Sequence, residues 1–262
     1  MRDRSHVVMF SGGAASYAAA KYVAAKHGTE RLWLFFTDTS MEDQDLYRFL
    51  HEAAADVGGT LEIYKDGRTP WEVFRETRFL GNTRVDPCSR ILKREPARRW
   101  IRDTFKPDDV ELYVGITWEE QHRLDRMKKA WSPYRVHAPL VEEELMKDQV
   151  LQMVIDAGLE LPRLYDLGFA HNNCGGFCIK SGMGQFANLL KTMPTRYAWH
   201  EAQEEQIRTL LDQDVSILRD RSGGQVRPLT LAAFRERVAA ADQQLDLFDW
   251  GGCGCFVYFY EL

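Results

Sequence analysis

The sequence lacks long hydrophobic runs. The longest aliphatic and aromatic runs, at residues 32–36 and 256–260, have five residues each, far below the roughly 20 that span a bilayer. We therefore expect no transmembrane helix. Near the amino terminus only residues 7–10 form an apolar stretch, so we expect no signal peptide and a cytoplasmic protein.

The chain also lacks an excess of basic residues. Its 262 residues include 34 Lys and Arg against 39 Asp and Glu, a net charge of −5, which argues against bulk non-specific binding to nucleic acid. One segment differs: residues 84–102 hold seven basic and two acidic side chains. Such a segment is either a solvated helix face or a surface that suits a polyanionic ligand.

Cysteine is scarce, and an odd count of five does not fit a plain disulfide framework. Four cysteines form two close pairs flanked by glycines, Cys174 with Cys178 and Cys253 with Cys255. Tight glycine turns can present four thiolates to one centre, so we predict a metal site with these ligands. Geometry alone suits Zn²⁺ or a [4Fe-4S] cluster about equally. The alternative is four buried structural cysteines.

Short β-rich runs alternate with helical patterns in the first half of the chain. The patterns predict strands at residues 6–11, 32–37, 61–65 and 110–116, and helices at 14–26, 43–57 and 89–105. Strands separated by helices indicate βαβ units and an α/β fold with a parallel sheet. A ligand of such a sheet binds beyond the carboxyl ends of the strands.

The second half of the chain has a different pattern. It predicts helices at residues 142–157, 197–211 and 231–245, with glycine-rich turns around residues 174–184 and a short strand in the aromatic tail. We therefore expect a region 1–140 that contains the sheet and a helical region 141–262 packed on it.

A glycine-rich turn follows the first predicted strand and opens a helix. It reads Ser11-Gly12-Gly13-Ala14-Ala15-Ser16. Glycines allow the backbone to approach an anion closely, and the helix N-terminus and the hydroxyls of Ser11 and Ser16 supply donors. The turn lacks the Lys of GxxxxGK and the third Gly of GxGxxG. It predicts a phosphate cradle, with a purely geometric strand-to-helix turn as the alternative.

Four further motifs follow in order along the chain. They are TDTSMED at residues 37–43, PCSRILKREP at 87–96, Gly115-Ile116 with Glu119 and Arg123, and LPRLYDLGFAHNNCGGFC at 161–178. Together with the glycine turn they resemble the PP-loop ATP pyrophosphatase superfamily, and within it the phosphoadenylyl-sulfate (PAPS) reductase-like branch. The resemblance covers about residues 7–178.

The resemblance implies a Rossmann-like, adenine nucleotide alpha hydrolase-like sheet with helices on both faces. Region 1–140 would be the PP-loop nucleotide-binding domain, and region 141–262 the helical part with the cysteine metal site. Family members bind ATP with Mg²⁺ and cleave it between the α- and β-phosphates to adenylate an oxygen. Many have Asp where this chain has Ala15. Mg²⁺ would then rest on phosphate oxygens, water and Asp38.

The resemblance also implies roles for individual residues. The cofactor-binding residues would be Ser11, Gly12, Gly13, Ser16, Asp38 and Gly115, and the catalytic candidates would be Cys88, Lys93, Glu119 and Arg123. Cys88 would be a reactive thiol, or a metal ligand with the later pair as in related reductases. Glu119 and Arg123 stand four residues apart, so a surface ion pair is the alternative for them.

The implied reaction is adenylation of a nucleobase or nucleotide-like substrate, followed by sulfur or nitrogen transfer. One alternative is a sulfonucleotide reductase with thioredoxin as electron donor. Another is a regulatory module that binds nucleotide and carries a structural metal. Candidate partners are an adenine nucleotide, the substrate either free or within a nucleic acid, a sulfur- or electron-donor protein, and a second copy of the chain in a homodimer.

Overall fold

A computed structural model describes residues 4–81 and 85–240 of the chain. Its main sheet is parallel, with five strands in the order β3-β2-β1-β4-β5. The strands are β1 Ser5–Met9, β2 Leu32–Asp38, β3 Thr60–Lys65, β4 Val110–Val114 and β5 Arg135–His137, and an antiparallel pair is formed by β6 Leu218–Asp220 and β7 Arg227–Leu229. The predicted α/β class with a parallel sheet is confirmed.

Helices connect the strands and make up most of the second half. They are α1 Ala14–His27, α2 Gln44–Val57, α3 Pro70–Glu76, α4 Pro87–Ser89, α5 Glu95–Thr104, α6 Leu124–Trp131, α7 Pro139–Glu142, α8 Lys147–Asp156, α9 Arg163–Asp166, α10 Met183–Thr192, α11 Pro194–Leu211 and α12 Leu231–Ala240. A π-helical turn, Arg90–Arg94, joins α4 to α5, and 3₁₀ turns span Trp118–Arg123, Cys174–Gly176 and Ser222–Gly224.

Two predicted helices are interrupted. The predicted helix at 142–157 is wrong at its start, because Glu144 adopts a left-handed φ of 55° and separates α7 from α8. The predicted helix at 89–105 contains the π-helical turn. Helix α3 and strand β5 were not predicted, and the predicted strand in the aromatic tail lies outside the described residues.

Local sequence explains where several elements begin and end. The side chain of Asp43 accepts a hydrogen bond from the backbone N–H of Asp45 at 3.0 Å and caps α2, which ends at a left-handed Gly58. Thr69 and Glu72 form a reciprocal capping box before α3, with Pro70 in its first turn. The caps at Asp43 and Thr69 fix the helix starts that follow β2 and β3 at the carboxyl edge of the sheet.

The sheet is buried on both faces by helices. Alternate strand residues point to opposite faces, so Val8 and Leu34 belong to one apolar cluster and Val7 and Phe35 to another. The first cluster packs against α1, α2 and α8, and the second against α5 and α6. Helices on both faces confirm the Rossmann-like layering.

A third apolar cluster lies beside the sheet and draws on both halves of the chain. Trp71 and Phe74 of α3 belong to it together with Phe177, Tyr197 and Phe234. The second half therefore packs on the first through a shared core. No helix in the described part of the chain is both long and apolar enough to cross a bilayer.

Candidate active site

A cavity opens where the strand order reverses. Strand β1 has β2 on one side and β4 on the other, so the chain connections diverge here and leave a crevice at the carboxyl ends. Ser11 and Gly13 follow β1, Gly115 follows β4, and all three line this cavity. We call it the glycine-loop cavity.

Geometry requires glycine at two positions here: Gly12, behind the cavity wall, and Gly115, on it. Gly12 has φ +74°, a conformation that residues with a Cβ rarely adopt. Gly115 approaches the start of α1 so closely that a Cβ would lie 2.6 Å from the backbone of Ala15 and Ser16. The carboxyl end of β4 thus packs directly against the glycine turn.

The serines of the turn have different positions. The Ser16 hydroxyl is buried and donates to the carbonyl of Gly13 at 2.8 Å, and the Ser11 hydroxyl donates to Ser16 at 3.3 Å. Ser11 and Gly13 form part of the cavity wall. Gly12 and Ser16 shape the turn behind that wall.

Charged side chains surround the same cavity. Lys93, Arg123, Glu120 and His171 line it. Arg123 makes its ion pair with Glu120, whereas the exposed Glu119 accepts a hydrogen bond from the backbone N–H of Lys147 at 3.1 Å. The ion pair that the four-residue spacing suggested is therefore replaced by one with Glu120.

The imidazole of His171 belongs to the wall of this cavity. The surrounding protein desolvates it and so lowers its pKa; the positive charges of Lys147 and Arg123 act in the same direction, and Glu120 opposes them. Near pH 7 the ring is therefore neutral, and the positive side chains on this wall are Lys93 and Arg123.

Asp38 lies at the end of β2 in a hydrogen-bonded network. Its carboxylate accepts from the backbone N–H of Ser40 at 2.7 Å and from the hydroxyl of Tyr47 at 2.8 Å, and it pairs with Lys65 at 3.4 Å. Burial and the Asp38 charge raise the pKa of Tyr47. The predicted cofactor residue therefore holds the turn after β2 and lies outside the wall of the glycine-loop cavity.

A second, smaller cavity gathers the cysteines of the described residues. Cys88, Cys174 and Cys178 line it together with Thr39 and Lys93, and we call it the cysteine cavity. None of the three cysteines is in a disulfide. The hydroxyl of Thr39 lies 3.9 Å from the sulfur of Cys174. The structure thus brings Cys88, predicted in a separate segment, to the same cavity as the Cys174–Cys178 pair.

Lys93 belongs to both cavities. It is 6% exposed, and its ammonium lies 3.5 Å from the Glu42 carboxylate. The same carboxylate accepts from the Thr39 hydroxyl at 2.8 Å and from the backbone N–H of Cys174. One buried charge cluster therefore connects the two cavities.

The turn Cys174–Gly176 is also held by a hydrogen bond from Arg196 of α11. The guanidinium of Arg196 donates to the carbonyl of Met41 and, at 3.5 Å, to that of Cys174. A Cβ on Gly175 would lie 1.8 Å from this guanidinium, so the glycine beside Cys174 makes room for Arg196. The glycines of the cysteine pair thus serve packing as well as turning.

The predicted four-cysteine metal site is only partly described. Cys253 and Cys255 lie outside the described residues, so that ligand set stays a prediction. Within residues 4–81 and 85–240, no group of three His, Cys, Asp or Glu side chains is close enough to hold a metal ion. The three described thiols share a cavity wall without converging on one centre.

Sequence reasoning missed several residues of the glycine-loop cavity. Glu120, Tyr165 and Asn172 line it, although none was selected from the sequence. Tyr165 and Asn172 lie inside the segment 161–178 that carries the family resemblance. Their place in that segment is a signal that the region is functional, but it does not indicate this cavity.

The solved structures that resemble this chain at low sequence identity include the following three. Phosphoadenylyl-sulfate (PAPS) reductase from Candida auris, in a phosphate complex, is 18% identical, with a TM-score of 0.43 over 64% of this chain and 79% of that one. The U34-tRNA thiolase NcsA from Methanococcus maripaludis, with its [4Fe-4S] cluster, is 15% identical, with a TM-score of 0.46 over 86% and 80%. The NH3-dependent NAD synthetase from Campylobacter jejuni subsp. jejuni, in complex with nitrate, is 10% identical, with a TM-score of 0.42 over 81% and 85%.

Sequence comparison is more decisive at the level of the family. No curated protein matches the chain significantly. The family model of the phosphoadenosine phosphosulfate reductase domain matches residues 5–177, which include the glycine turn, Cys88, Lys93, Arg123 and Cys174. This match confirms the resemblance to the PAPS reductase-like branch of the PP-loop superfamily. The chain belongs to the phosphoadenosine phosphosulfate reductase domain family.

Proposed function

We propose that the protein is an ATP-dependent adenylating enzyme that activates an oxygen of a nucleobase or nucleotide-like substrate for sulfur or nitrogen transfer. The observation that carries the proposal is the position of Lys93, which lines both the glycine-loop cavity and the cysteine cavity. A phosphate-binding turn and a group of thiols are thereby joined by one buried cation. This arrangement suits a reaction that activates a substrate and then delivers a nucleophile to it.

The glycine-loop cavity has the features that a triphosphate needs. The start of α1 directs backbone N–H groups and the positive end of the helix dipole towards it. Lys93 and Arg123 supply positive charge on the wall. Because phosphoryl transfer depends mainly on positioning and charge neutralisation, these groups would hold ATP and stabilise the departing pyrophosphate. Mg²⁺ would accompany the triphosphate.

The proposed reaction has two steps, adenylation of the substrate and displacement of AMP. The substrate oxygen attacks the α-phosphorus of ATP, the new O–P bond forms, and the bond between the α-phosphorus and the bridging oxygen breaks to release pyrophosphate. A sulfide or an amine, from a sulfur or nitrogen donor, then attacks the activated carbon and AMP leaves. Lys93 would neutralise charge in the first step, and the donor would arrive from the cysteine cavity, which Cys88 lines.

The thiols of the cysteine cavity are soft donors that suit an iron–sulfur cluster or zinc. The three described thiols line one wall without forming a three-ligand group, so a metal site would need the C-terminal pair: Cys174 and Cys178 with both Cys253 and Cys255, or Cys88, Cys174 and Cys178 with one of them while the other stays free for redox work. When bound, a [4Fe-4S] cluster would supply a metal site for sulfur, and zinc would hold the turn in place.

A sulfonucleotide reductase is the second candidate. The match to the phosphoadenosine phosphosulfate reductase domain favours it, and Cys88 beside Lys93 could take part in thiol chemistry. The resemblance implies two adjacent cysteines in the reductases of the family, whereas this chain has a single Cys88 between Pro87 and Ser89. That difference favours the adenylating reaction.

The two candidates are separated by what the protein releases and what it requires. The adenylating enzyme should release pyrophosphate from ATP when an oxygen-bearing nucleobase substrate is present, and should exchange labelled pyrophosphate into ATP. The reductase should release sulfite from an adenylylated sulfate with reduced thioredoxin and without ATP. Sulfite release with no exchange across a panel of nucleobase substrates would overturn the adenylating proposal.

A matched pair of glycine variants ties the activity to the glycine turn. Gly12 and Gly158 both have φ +74°, but a Cβ on Gly158 would meet nothing within 4 Å. Gly12→Asp and Gly158→Asp thus carry a similar backbone strain, but only the first adds a side chain at the glycine turn, where its Cβ would lie 3.0 Å from the buried Leu46. We expect exchange to fall at least about 100-fold in Gly12→Asp, a loss of about 2.7 kcal/mol of binding or activation, and to persist in Gly158→Asp.

Metal content tests the cysteine assignment. Anaerobic purification followed by iron, sulfide and zinc analysis should show a brown cluster or a colourless zinc protein. Cys88→Ser and Cys178→Ser should lose the metal to the same extent if both are ligands. Full metal content in Cys88→Ser would instead indicate that Cys88 is a reactive thiol and that the ligands are the two pairs.

A further inference from the structure

A tyrosine from the second half of the chain reaches the start of α1. The backbone N–H of Ala14 donates to the Tyr165 hydroxyl at 3.3 Å. A Cβ on Gly13 would lie 3.0 Å from the same oxygen. Because first-turn N–H groups have no partner within their helix, this hydroxyl occupies a position that a phosphate cradle keeps for its ligand.

The Tyr165 hydroxyl still has a proton to donate. It accepts from Ala14, and within the described part of the chain its own O–H meets no acceptor. Its ring belongs to the wall of the glycine-loop cavity beside Ser11 and Gly13. Burial raises the pKa of Tyr165 to about 12, so the hydroxyl keeps its proton at neutral pH. It is a neutral donor next to the cradle.

Asn172 provides an independent sign that this wall meets a ligand. Its amide nitrogen donates to the carbonyl of Gly12 at 2.8 Å, and because a carbonyl only accepts, the other side-chain atom must be the oxygen. That Oδ1 is buried and has no hydrogen-bond partner among the described residues, and Asn172 as a whole is 3% exposed. A buried acceptor without a partner is costly unless a ligand or water satisfies it.

We propose that Tyr165 is a phosphate-binding residue: its hydroxyl accepts from Ala14 and donates to a phosphate oxygen of the bound nucleotide. Asn172 Oδ1 then accepts from a hydroxyl or a water that the same nucleotide carries. This inference rests on the proposed function and deepens it. It extends the phosphate cradle from the glycine turn to a segment more than 150 residues further along the chain.

The opposing interpretation is that Tyr165 only fills the cradle while no ligand is present. A filling side chain competes with phosphate, so removing its hydroxyl should strengthen binding. A donor to phosphate gives the opposite sign. The sign of the change in phosphate affinity therefore separates the two interpretations.

Calorimetry with Tyr165→Phe measures that sign. The probes are ATP, inorganic pyrophosphate and adenosine, each titrated into the full-length protein. A hydrogen bond to a charged oxygen is worth about 1.5–3 kcal/mol, so we expect Kd for ATP and for pyrophosphate to rise about 10- to 100-fold. Adenosine has no phosphate, and its Kd should change less than about threefold.

Tyr17→Phe is the matched control. Tyr17 lies on the same helix, and its hydroxyl donates to Asp56 at 2.6 Å, away from the cavity. It should bind all three probes as the wild type does, and thermal unfolding should show that both variants fold. Unchanged or tighter binding of pyrophosphate by Tyr165→Phe would overturn this proposal alone. A wild-type protein that binds neither ATP nor pyrophosphate would overturn the proposed function and this inference together.

Discussion

One wall of the glycine-loop cavity is formed by the glycine turn and the ends of two neighbouring strands, whereas the cysteine cavity is formed throughout by side chains from separate segments. In the first, Gly12 and Gly115 fix the shape by having no Cβ. In the second, Cys88 and Cys174 meet across 86 positions of sequence, close to the charge cluster of Lys93 and Glu42. Short-range geometry governs the glycine wall of the first cavity, and long-range packing governs its opposite wall and the whole of the second cavity.

The difference shows which kind of site can be inferred from a sequence. A strand followed by a glycine turn and a helix places N–H groups at the sheet edge wherever it occurs. Thiols that belong to distant segments converge only if every intervening element packs as it should. Three variants, in order of decreasing expected effect, test how far the two cavities are independent.

Lys93→Met should affect both cavities. It leaves the Glu42 carboxylate, 5% exposed, without its buried cation, and breaking such a pair costs about 3–5 kcal/mol. We expect the free energy of unfolding, measured in urea, to fall by about that amount, and ATP affinity and metal content to fall with it.

The double variant Lys93→Met/Glu42→Gln is the control. It removes the buried negative charge, so it should recover much of the stability while ATP affinity stays low. Loss of stability with both ligand sites intact would show that Lys93 does not couple the two cavities.

Gly115→Ala should affect the glycine-loop cavity alone. The new Cβ would meet the backbone of Ala15 at 2.6 Å, and overpacking against a fixed neighbour costs about 1–3 kcal/mol. Thermal unfolding and ATP titration should both register the change, while the reactivity of Cys88 towards a thiol reagent should not. Gly158→Ala, where the Cβ meets open space, is the comparison, and an equal loss of ATP affinity there would contradict the assignment.

Acid should weaken the wall of the cysteine cavity through His200. The indole N–H of Trp71 donates to Nδ1 of this buried ring at 2.9 Å, and the ring stacks on Phe177, which lines the cavity, with centroids 4.2 Å apart. Burial, aided by the charge of Arg196, holds the pKa of His200 well below its ordinary value. The native ring is therefore neutral, and Nδ1 acts as an acceptor.

The sign of the pH dependence follows from proton uptake by the unfolded chain. Below about pH 6.5, His200 binds a proton in the unfolded chain but stays neutral in the native protein. The free energy of unfolding therefore falls as pH falls, by about 1.4 kcal/mol per pH unit. In His200→Gln this loss should be absent, and the stability difference between wild type and variant should shrink between pH 7 and pH 5. Parallel curves in urea titrations would contradict the assignment; contributions from other groups cancel in the difference.

The sheet and the glycine turn could be predicted because their signals are local. Buried strands, an alanine-rich helix and Ser11-Gly12-Gly13 stand next to one another in sequence. Tyr165 and Asn172 could not be assigned to this cavity, because nothing local indicates that α9 and the loop after it contact Gly12 and Ala14. The alternative of an ion pair between Glu119 and Arg123 assumes an α-helix. The 3₁₀ turn there favours a spacing of three residues, and Arg123 pairs with Glu120 instead.

The π-helical turn explains why Cys88 and Lys93 share a cavity. In an α-helix, with 3.6 residues per turn, two residues five apart lie on different faces. In the wider turn the N–H of Glu95 bonds to the carbonyl of Arg90, five residues back, and residues at that spacing come nearly into line. The helical pattern predicts a regular helix here, so the position of Cys88 and Lys93 on one cavity wall could not be derived from it.

The hydrogen bonds that join Tyr165 and Asn172 to the glycine turn span 151 and 160 positions of sequence. During synthesis the strands of the sheet leave the ribosome well before these two side chains do. A nascent chain that ends near residue 140 would carry the glycine turn but would lack Tyr165 and Asn172. It would therefore reach its full affinity for ATP only after the later segment has folded onto the turn. Nucleotide binding would thus stabilise the complete chain more than a truncated one, which would bind nucleotide weakly even with an intact sheet.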